Sequence, residues 1–400
     1  MSHDKGHRRN PGHGISTRAV LDGELAHKSE NALTTPIFQT STYVFGDTSE
    51  ILAYNAGETE RWEYGRYGNP TQRAAELKIA SLENADDAML FPSGMNAITC
   101  TLLALLKAGD HAVLTEDCYR NSRRFCDDVL PRFGVEVSCV RACDYAELEG
   151  AIRDNTRVII AESPTNPHLR VADIPRLVKI ADDRGVQLLL DSTLATPFNQ
   201  RPAEFGVRYV LHSVTKYLNG HQDLMAGALV GRADEVAAVR QFCRPIGGIP
   251  DPHQSWLILR GLKTFALRMQ RHNSNALAVA EFLEGHSKVE RVWYPGLGSH
   301  PDFETARQQM DGFGGLLSFE VRGDEAQTLR FADKLRVWQL GPSMGGVESL
   351  CSHPATVSYY EFTREERYRL GIFDNLIRLA AGIEDPDDLI ADLDSALSSV

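Results

Sequence analysis

Asp191 and Lys216 are the two residues of this 400-residue chain whose types and placement suit one shared chemical task. Asp191 directly follows the apolar run 186–190, and His212-Ser213-Val214-Thr215-Lys216 directly follows a second run, 208–211. Both runs read as buried parallel strands, too short for helices and rich in Val and Leu. Ligands of open α/β sheets sit at the carboxyl ends of strands, so the Asp and the Lys should face one crevice. A lysine amine for covalent attachment, a carboxylate to hold a ring-nitrogen proton, and the Ser213 and Thr215 hydroxyls for a phosphate together suit pyridoxal 5'-phosphate. A carboxylate ~4 Å from a cation, at an effective dielectric near 20, contributes about 4 kcal/mol. That corresponds to roughly three pKa units, enough to keep a pyridine nitrogen protonated at neutral pH. Read singly, Asp191 is as well explained as a turn cap. The acyl-transferase reading of Ser213-x-x-Lys216 fails, because its Ser-Asp-Asn and Lys-Thr-Gly partners are absent.

Further candidates are scattered along the chain. Pro92-Ser93-Gly94-Met95 lies between a predicted strand, 87–91, and a predicted helix, 97–106. A Ser-Gly turn there presents backbone N–H groups to an anion, and the helix dipole adds to them. Tyr119 follows the strand 111–115 and is placed to stack on a planar ring. Tyr64 and Arg66 precede Asn69-Pro70-Thr71, where Asn69 or Thr71 caps a helix; by local pattern both are turn residues with ordinary surface side chains. Glu162-Ser163-Pro164-Thr165-Asn166-Pro167 ends the strand 158–161 in a loop fixed by two prolines. Ser343 lies in the glycine-rich Pro342-Ser343-Met344-Gly345-Gly346, by local pattern a turn. Arg378 sits inside the apolar Leu376-Ile377-Arg378-Leu379, too apolar for a surface strand, and needs an anion. A substrate carboxylate held in a bidentate fork or an internal acidic partner would each serve.

These residues require a scaffold that brings strand ends together. Strands and helices alternate from 87 to 211, with further strands at 135–140 and 158–161 and helices at 145–152 and 174–183, which fits a doubly wound, mainly parallel sheet. The dinucleotide reading fails, since neither Gly312-x-Gly314-Gly315 nor Gly296-x-Gly298 opens a strand–helix unit of the right kind. The stretch 244–252, rich in Pro and Gly, is the best domain break. It divides the chain into an N-terminal tail and arm (1–60), a large cofactor-binding domain (61–252) and a smaller α+β C-terminal domain (253–400). Apolar residues from Ile258 to Leu283 at helical spacing predict one long helix after the break. Strands are expected near 289–294 and 316–321, and helices near 326–334 and 387–397.

Composition narrows the function. A net charge of -12 argues against nucleic acid or an anionic membrane as partner. No apolar run approaches the ~18 residues of a membrane span. The first sixteen residues carry charges but no apolar core, so they read as a solvated tail rather than a secretory signal. His3, His7 and His13 belong to that tail, and no metal site is expected. Seven cysteines without paired spacing suit reduced thiols in a cytoplasmic protein.

Seven ordered motifs together resemble one family. They are Tyr64-x-Arg66-x-x-Asn69-Pro70-Thr71, Ser93-Gly94-Met95, Ser163-Pro164-Thr165-Asn166-Pro167, Asp191, Ser213-x-Thr215-Lys216-Tyr217, Ser343-x-Gly345-Gly346-x-Glu348-Ser349 and Arg378. They are similar to those of the cysteine/methionine-metabolism pyridoxal-phosphate enzymes: the cystathionine γ-synthases, cystathionine and methionine lyases and homoserine sulfhydrylases. The look is nearest the plant-type γ-synthase, through 63–71, 117–120 and 294–297. The resemblance implies fold type I and a homotetramer built from tight dimers. Lys216 would hold the cofactor and move protons, Asp191 would pair with its ring nitrogen and Tyr119 would stack on the ring. Ser93, Gly94, Met95, Ser213 and Thr215 would bind the phosphate from one subunit, and Tyr64 and Arg66 from its neighbour. Asn166 would lie on the ring-hydroxyl side and, with Ser343 and Arg378, hold the carboxylate of an amino-acid substrate. The implied reaction is γ-replacement or γ-elimination, such as activated homoserine plus cysteine giving cystathionine. Rivals are a cystathionine or methionine γ-lyase, an enzyme acting on a non-protein amino acid, and a non-catalytic protein of the same fold. Pro342 stands where several γ-acting members carry Glu, which leaves substrate choice open, as does the unmatched stretch 250–256.

Overall fold

A computed structural model describes residues 10, 12–25, 28–398 and 400. Seven strands form the larger sheet: β1 (Asp87–Phe91), β2 (His111–Thr115), β3 (Glu136–Val140), β4 (Thr156–Glu162), β5 (Gln187–Asp191), β6 (Tyr209–His212) and β7 (Gly227–Gly231). Their order across the sheet is β1-β7-β6-β5-β4-β2-β3. The strands run parallel except β7, which is antiparallel to both β1 and β6. β2, β4, β5, β6 and β7 are almost wholly buried, as expected of a sheet with helices on both faces. The chain lays β3 outside β2 and then returns to place β4 on the other side. The switch point therefore lies between β2 and β4, and crevices form beyond the strand ends at such a point.

The expected strands at 87–91 and 111–115 have those bounds, and the next four lie within two residues of theirs. β7 was not foreseen: Gly-Ala-Leu-Val-Gly is short and glycine-bounded, so it reads as a loop until its neighbours β1 and β6 are known.

A second sheet follows, with β8 (Val289–Trp293), β9 (Leu316–Val321), β10 (Gln339–Leu340), β11 (Leu350–Ser352) and β12 (Leu376–Ala380) in the order β10-β11-β12-β9-β8. It is antiparallel apart from the β10–β11 pair. Helices Phe265–Glu284, Glu325–Lys334 and Pro386–Leu397 cover it, through Val279, Leu283, Phe331, Leu389 and Leu393 in one core with Phe319 and Ile377.

The single long helix expected between Ile258 and Leu283 is two, Pro252–Leu262 and Phe265–Glu284. The physical reason is a buried cation at the join. Arg268, 4% exposed, donates from Nη2 to the Gly261 carbonyl at 2.9 Å and from Nη1 to the Tyr217 carbonyl at 2.7 Å. The freed carbonyl at the helix end thus finds a charged donor, and the same side chain grips the loop that carries Lys216. Residue 253 falls within the first of these helices, whose Ile258, Leu259 and Leu262 pack in the larger sheet's core. Phe265 and Met269 belong to that core too, whereas Ala276, Val279 and Leu283 belong to the second.

Of the expected tail, the described residues include the start of a helix. Helix Ile15–Leu21 packs Ala19 into the larger core, and Lys78 donates to the Ala19 and Val20 carbonyls at its end. His13 lies 3.9 Å from Asp22 rather than free in solvent; His3 and His7 lie outside the described residues. The arm then runs over the larger domain, where Asn69 caps helix Pro70–Glu83, settling the choice between Asn69 and Thr71. Among the described residues no helix is long and apolar enough to cross a membrane.

Candidate active site

The crevice beyond β4, β5 and β6 collects the residues singled out from the sequence. Asp191 closes β5, and its Oδ1 accepts the Thr193 N–H at 2.9 Å and the Thr193 hydroxyl at 2.5 Å. The same Thr193 hydroxyl accepts the Ser213 N–H at 2.7 Å, tying the end of β5 to the turn after β6. Thr193 was missed in the sequence. Asp-x-Thr is the spacing at which a side chain bonds the backbone two residues on, and that was the available signal. Burial holds the Asp191 carboxyl above the ordinary range despite these bonds.

Lys216 sits in the turn after β6. Its Nζ donates to Ser343 Oγ at 2.7 Å, and burial together with the nearby Arg378 guanidinium lowers its pKa to about 8. A sizeable neutral fraction near pH 8 gives the amine nucleophilic character that an exposed lysine lacks. Ser343 reaches this position on a left-handed backbone, φ 86°. Gly345, two residues on, is also left-handed, and a Cβ there would come within 2.6 Å of the Tyr217 nitrogen. The glycine-rich turn therefore lies directly on the lysine's own loop.

Arg378 rises from the middle of β12 and is 5% exposed. It donates from Nη2 to the Ser343 carbonyl at 3.0 Å and from Nη1 to Asn166 Oδ1 at 3.4 Å, while Nε is buried without a partner. No acidic side chain meets it among the described residues' ion pairs, which favours an incoming carboxylate over an internal one. Ser318, its neighbour across the strands, instead holds the proline loop, donating to the Pro167 carbonyl at 2.7 Å.

Ser93 caps helix Gly94–Leu105 by accepting the Asn96 N–H at 3.0 Å. The N–H groups of Gly94 and Met95 open that helix, so no intrahelical carbonyl can receive them. A Cβ on Gly94 would stand 3.0 Å from Ser213 Oγ; the absence of a side chain leaves helix end and hydroxyl in one cradle. Thr215 is occupied differently: its hydroxyl donates to the Ala226 carbonyl at 3.1 Å and accepts the Ala226 N–H at 2.9 Å. Tyr119 is 44% exposed at the crevice, its backbone N–H held by Glu162 Oε2 at 2.7 Å. Tyr359, also not foreseen, borders a cleft of about 340 Å³ with Asn166, Arg120 and Phe373.

Two predicted residues stand apart. Tyr64 and Arg66 face a separate cleft with Gln39 and Pro250–Pro252, and Arg66 donates to the Arg244 carbonyl at 2.8 Å. The unmatched stretch 250–256 thus borders the arm: Asp251 caps helix Pro252–Leu262 and accepts a hydrogen bond from Gln39 at 3.0 Å. Among the described residues no group of three His, Cys, Asp or Glu side chains could hold a metal.

The donor set fits pyridoxal phosphate: a buried carboxylate lacking a cation, an amine near neutrality, an open helix N-terminus with a hydroxyl beside it, and an orphaned guanidinium N–H. Fold and crevice together define a fold type I pyridoxal-phosphate enzyme. The chain belongs to the Cys/Met metabolism PLP-dependent enzyme family, whose model matches residues 16–398. It is similar to cystathionine gamma-synthase 1, chloroplastic, of Arabidopsis thaliana, 44% identical over 92% of this chain; the chain spans 66% of that protein's length. L-methionine gamma-lyase of Pseudomonas putida is 41% identical, over 96% of this chain and 98% of the lyase. A crystal structure of metB from Corynebacterium glutamicum matches with a TM-score of 0.91 at 37% identity, covering 97% of this chain and 99% of that one.

Proposed function

We propose that the protein catalyses γ-replacement on an activated homoserine, with cysteine as acceptor and cystathionine as product. The observation that carries the reading is the Lys216–Ser343–Arg378–Asn166 constellation, whose Asn166 also borders the cleft of about 340 Å³. The 44% identity to a plant γ-synthase supports the synthase; identities of 40–41% to γ-lyases keep γ-elimination as the second reading.

Pyridoxal phosphate, when bound, supplies an electron sink for charge developing at the substrate's α- and β-carbons. Lys216 would hold it through Nζ, and that amine, when free, would take the substrate's α-proton. Asp191 would keep the ring nitrogen protonated. Arg378, through Nε and the edge not used by Ser343, grips the substrate carboxylate, with Asn166 beside it. Lys216, with help from the Tyr119 hydroxyl, moves the proton from the β-carbon as the γ-group leaves. Tyr119 would stack over the ring, and Gly94, Met95 and Ser213 would hold the phosphate.

The reading extends to assembly and place. Tyr64 and Arg66 serve a neighbour's site in a homotetramer of tight dimers. The separation of both from Lys216 and the exposure of Leu33, Val44 and Leu52 on the arm, 87%, 85% and 69%, support it. Mixing Arg66→Ala with Lys216→Ala protomers then restores activity that neither has alone. Seven free thiols suit a reducing compartment such as the cytoplasm.

Product analysis with O-acylated and O-phosphorylated homoserine, with and without cysteine, tests the reaction. Cystathionine formed only with cysteine supports the synthase. 2-Oxobutyrate and ammonia formed without it support the lyase. Neither product from cofactor-loaded protein refutes both.

A further inference from the structure

Glu162 closes β4 directly opposite Asp191 in the parallel register. Paired positions on neighbouring parallel strands, about 4.8 Å apart, point their side chains to the same face. Glu162 is 8% exposed, and its Oε2 accepts the Tyr119 backbone N–H at 2.7 Å. The groups facing it are Asp191 from β5, Asp117 and Cys118 from the segment after β2, and Tyr359 from the C-terminal domain. None is a cation. Two carboxylates at this spacing, shielded from water, cannot both stay ionised, and the proton goes to the one with the poorer hydrogen bonding to its charge. Asp191 has two donors from Thr193; Glu162 has the single Tyr119 N–H.

We propose that Glu162 is a positioning residue that works as a neutral carboxyl, leaving Asp191 as the anion that faces the ring nitrogen and anchoring the backbone from which the Tyr119 ring projects. The inference rests on pyridoxal phosphate binding at Lys216. Burial, with Asp191 close behind it, holds Glu162 well above the ordinary carboxylate range, and burial pushes Asp117 up to about 6. Burial thus favours the protonated form along this row, and the anion is placed at Asp191, the member with two donors to its charge.

Wild type, Glu162→Gln and Glu162→Ala are compared by titrating each apoprotein with pyridoxal phosphate, by circular dichroism of the bound cofactor, and by the pH profile of kcat/KM. Gln keeps an acceptor for Tyr119 and carries no charge. It should match wild type in dichroism and pH profile, with a cofactor Kd within about threefold. Ala removes the acceptor, which should weaken cofactor binding about tenfold and alter the dichroism. A pH profile moved by about one unit in the Gln variant overturns the proposal, because an ionised Glu162 would then be in use. An Ala variant identical to wild type in Kd and dichroism overturns it equally. Should the Ala variant not fold, the Gln comparison decides. Wild-type apoprotein that takes up no cofactor would instead overturn the functional reading on which the proposal rests.

Discussion

Replacing Lys216 by Met should make the cofactor-free protein more stable at pH 7 while abolishing its activity. The amine's pKa falls from 10.5 to about 8 in the folded chain, chiefly through burial and next through Arg378. At about 1.36 kcal/mol per tenfold change in ionisation constant, holding the proton at pH 7 costs the native state about 3 kcal/mol. The bond to Ser343 is lost in the variant, which returns about 1 kcal/mol. A net gain of about 2 kcal/mol should remain. The sign with pH follows from proton counts. Between pH 8 and 10.5 the unfolded chain binds the extra proton and the folded chain does not, so wild-type stability rises with pH there. The advantage of the Met variant is therefore full below pH 8 and fades as pH climbs towards 10.5. Urea denaturation of both apoproteins at equal protomer concentration, at pH 7 and pH 10, measures it. A Met variant no more stable than wild type at pH 7, or a gain that does not shrink at pH 10, would refute the reasoning.

The low pKa of Lys216 also makes uptake of pyridoxal phosphate by apoprotein accelerate with pH and level off above about 8, as stopped-flow absorbance would show. Arg378→Ala should raise KM for the amino-acid substrate by about a hundredfold, because a buried charge-assisted fork is worth about 2–5 kcal/mol, and steady-state kinetics on cofactor-loaded protein check it. Thr193→Val removes both the donor to Asp191 and the acceptor for Ser213 and should weaken cofactor binding about tenfold; apoprotein titration reads the loss. Arg268→Met strands the carbonyls of Tyr217 and Leu218 and should cost about 3 kcal/mol in urea unfolding.

Much of this site could be read before any coordinates because its chemistry sits at strand ends. A short apolar run followed at once by Asp or by Ser-x-Thr-Lys announces both the strand and the crevice, and β5 and β6 carried Asp191 and Lys216 to one place. Arg378 was legible for the opposite reason, as a charge in a run too apolar for the surface. What stayed hidden depends on contacts distant in sequence. The break at Lys263–Thr264 needs Arg268 to find carbonyls about fifty residues earlier. Thr215 offered a hydroxyl by type, but only the fold shows it closing a turn against Ala226. Tyr64 and Arg66 are a further case: their motif is plain in the sequence, yet within one chain they meet none of the residues around Lys216.

The grip of Arg268 on the lysine's loop has a consequence for how competence is acquired. The helix that bears it begins in one core and ends in the other, and the turn that receives Lys216 Nζ belongs to the later half of the chain. A nascent or truncated polypeptide that had completed only the larger sheet would display Asp191 and Lys216 without Ser343, Arg378 or the clamp on the loop. Such a species would expose a reactive amine with nothing to orient it. The arrangement makes chemical function a late product of folding, so that detecting an active centre amounts to certifying that the last-made strands have docked.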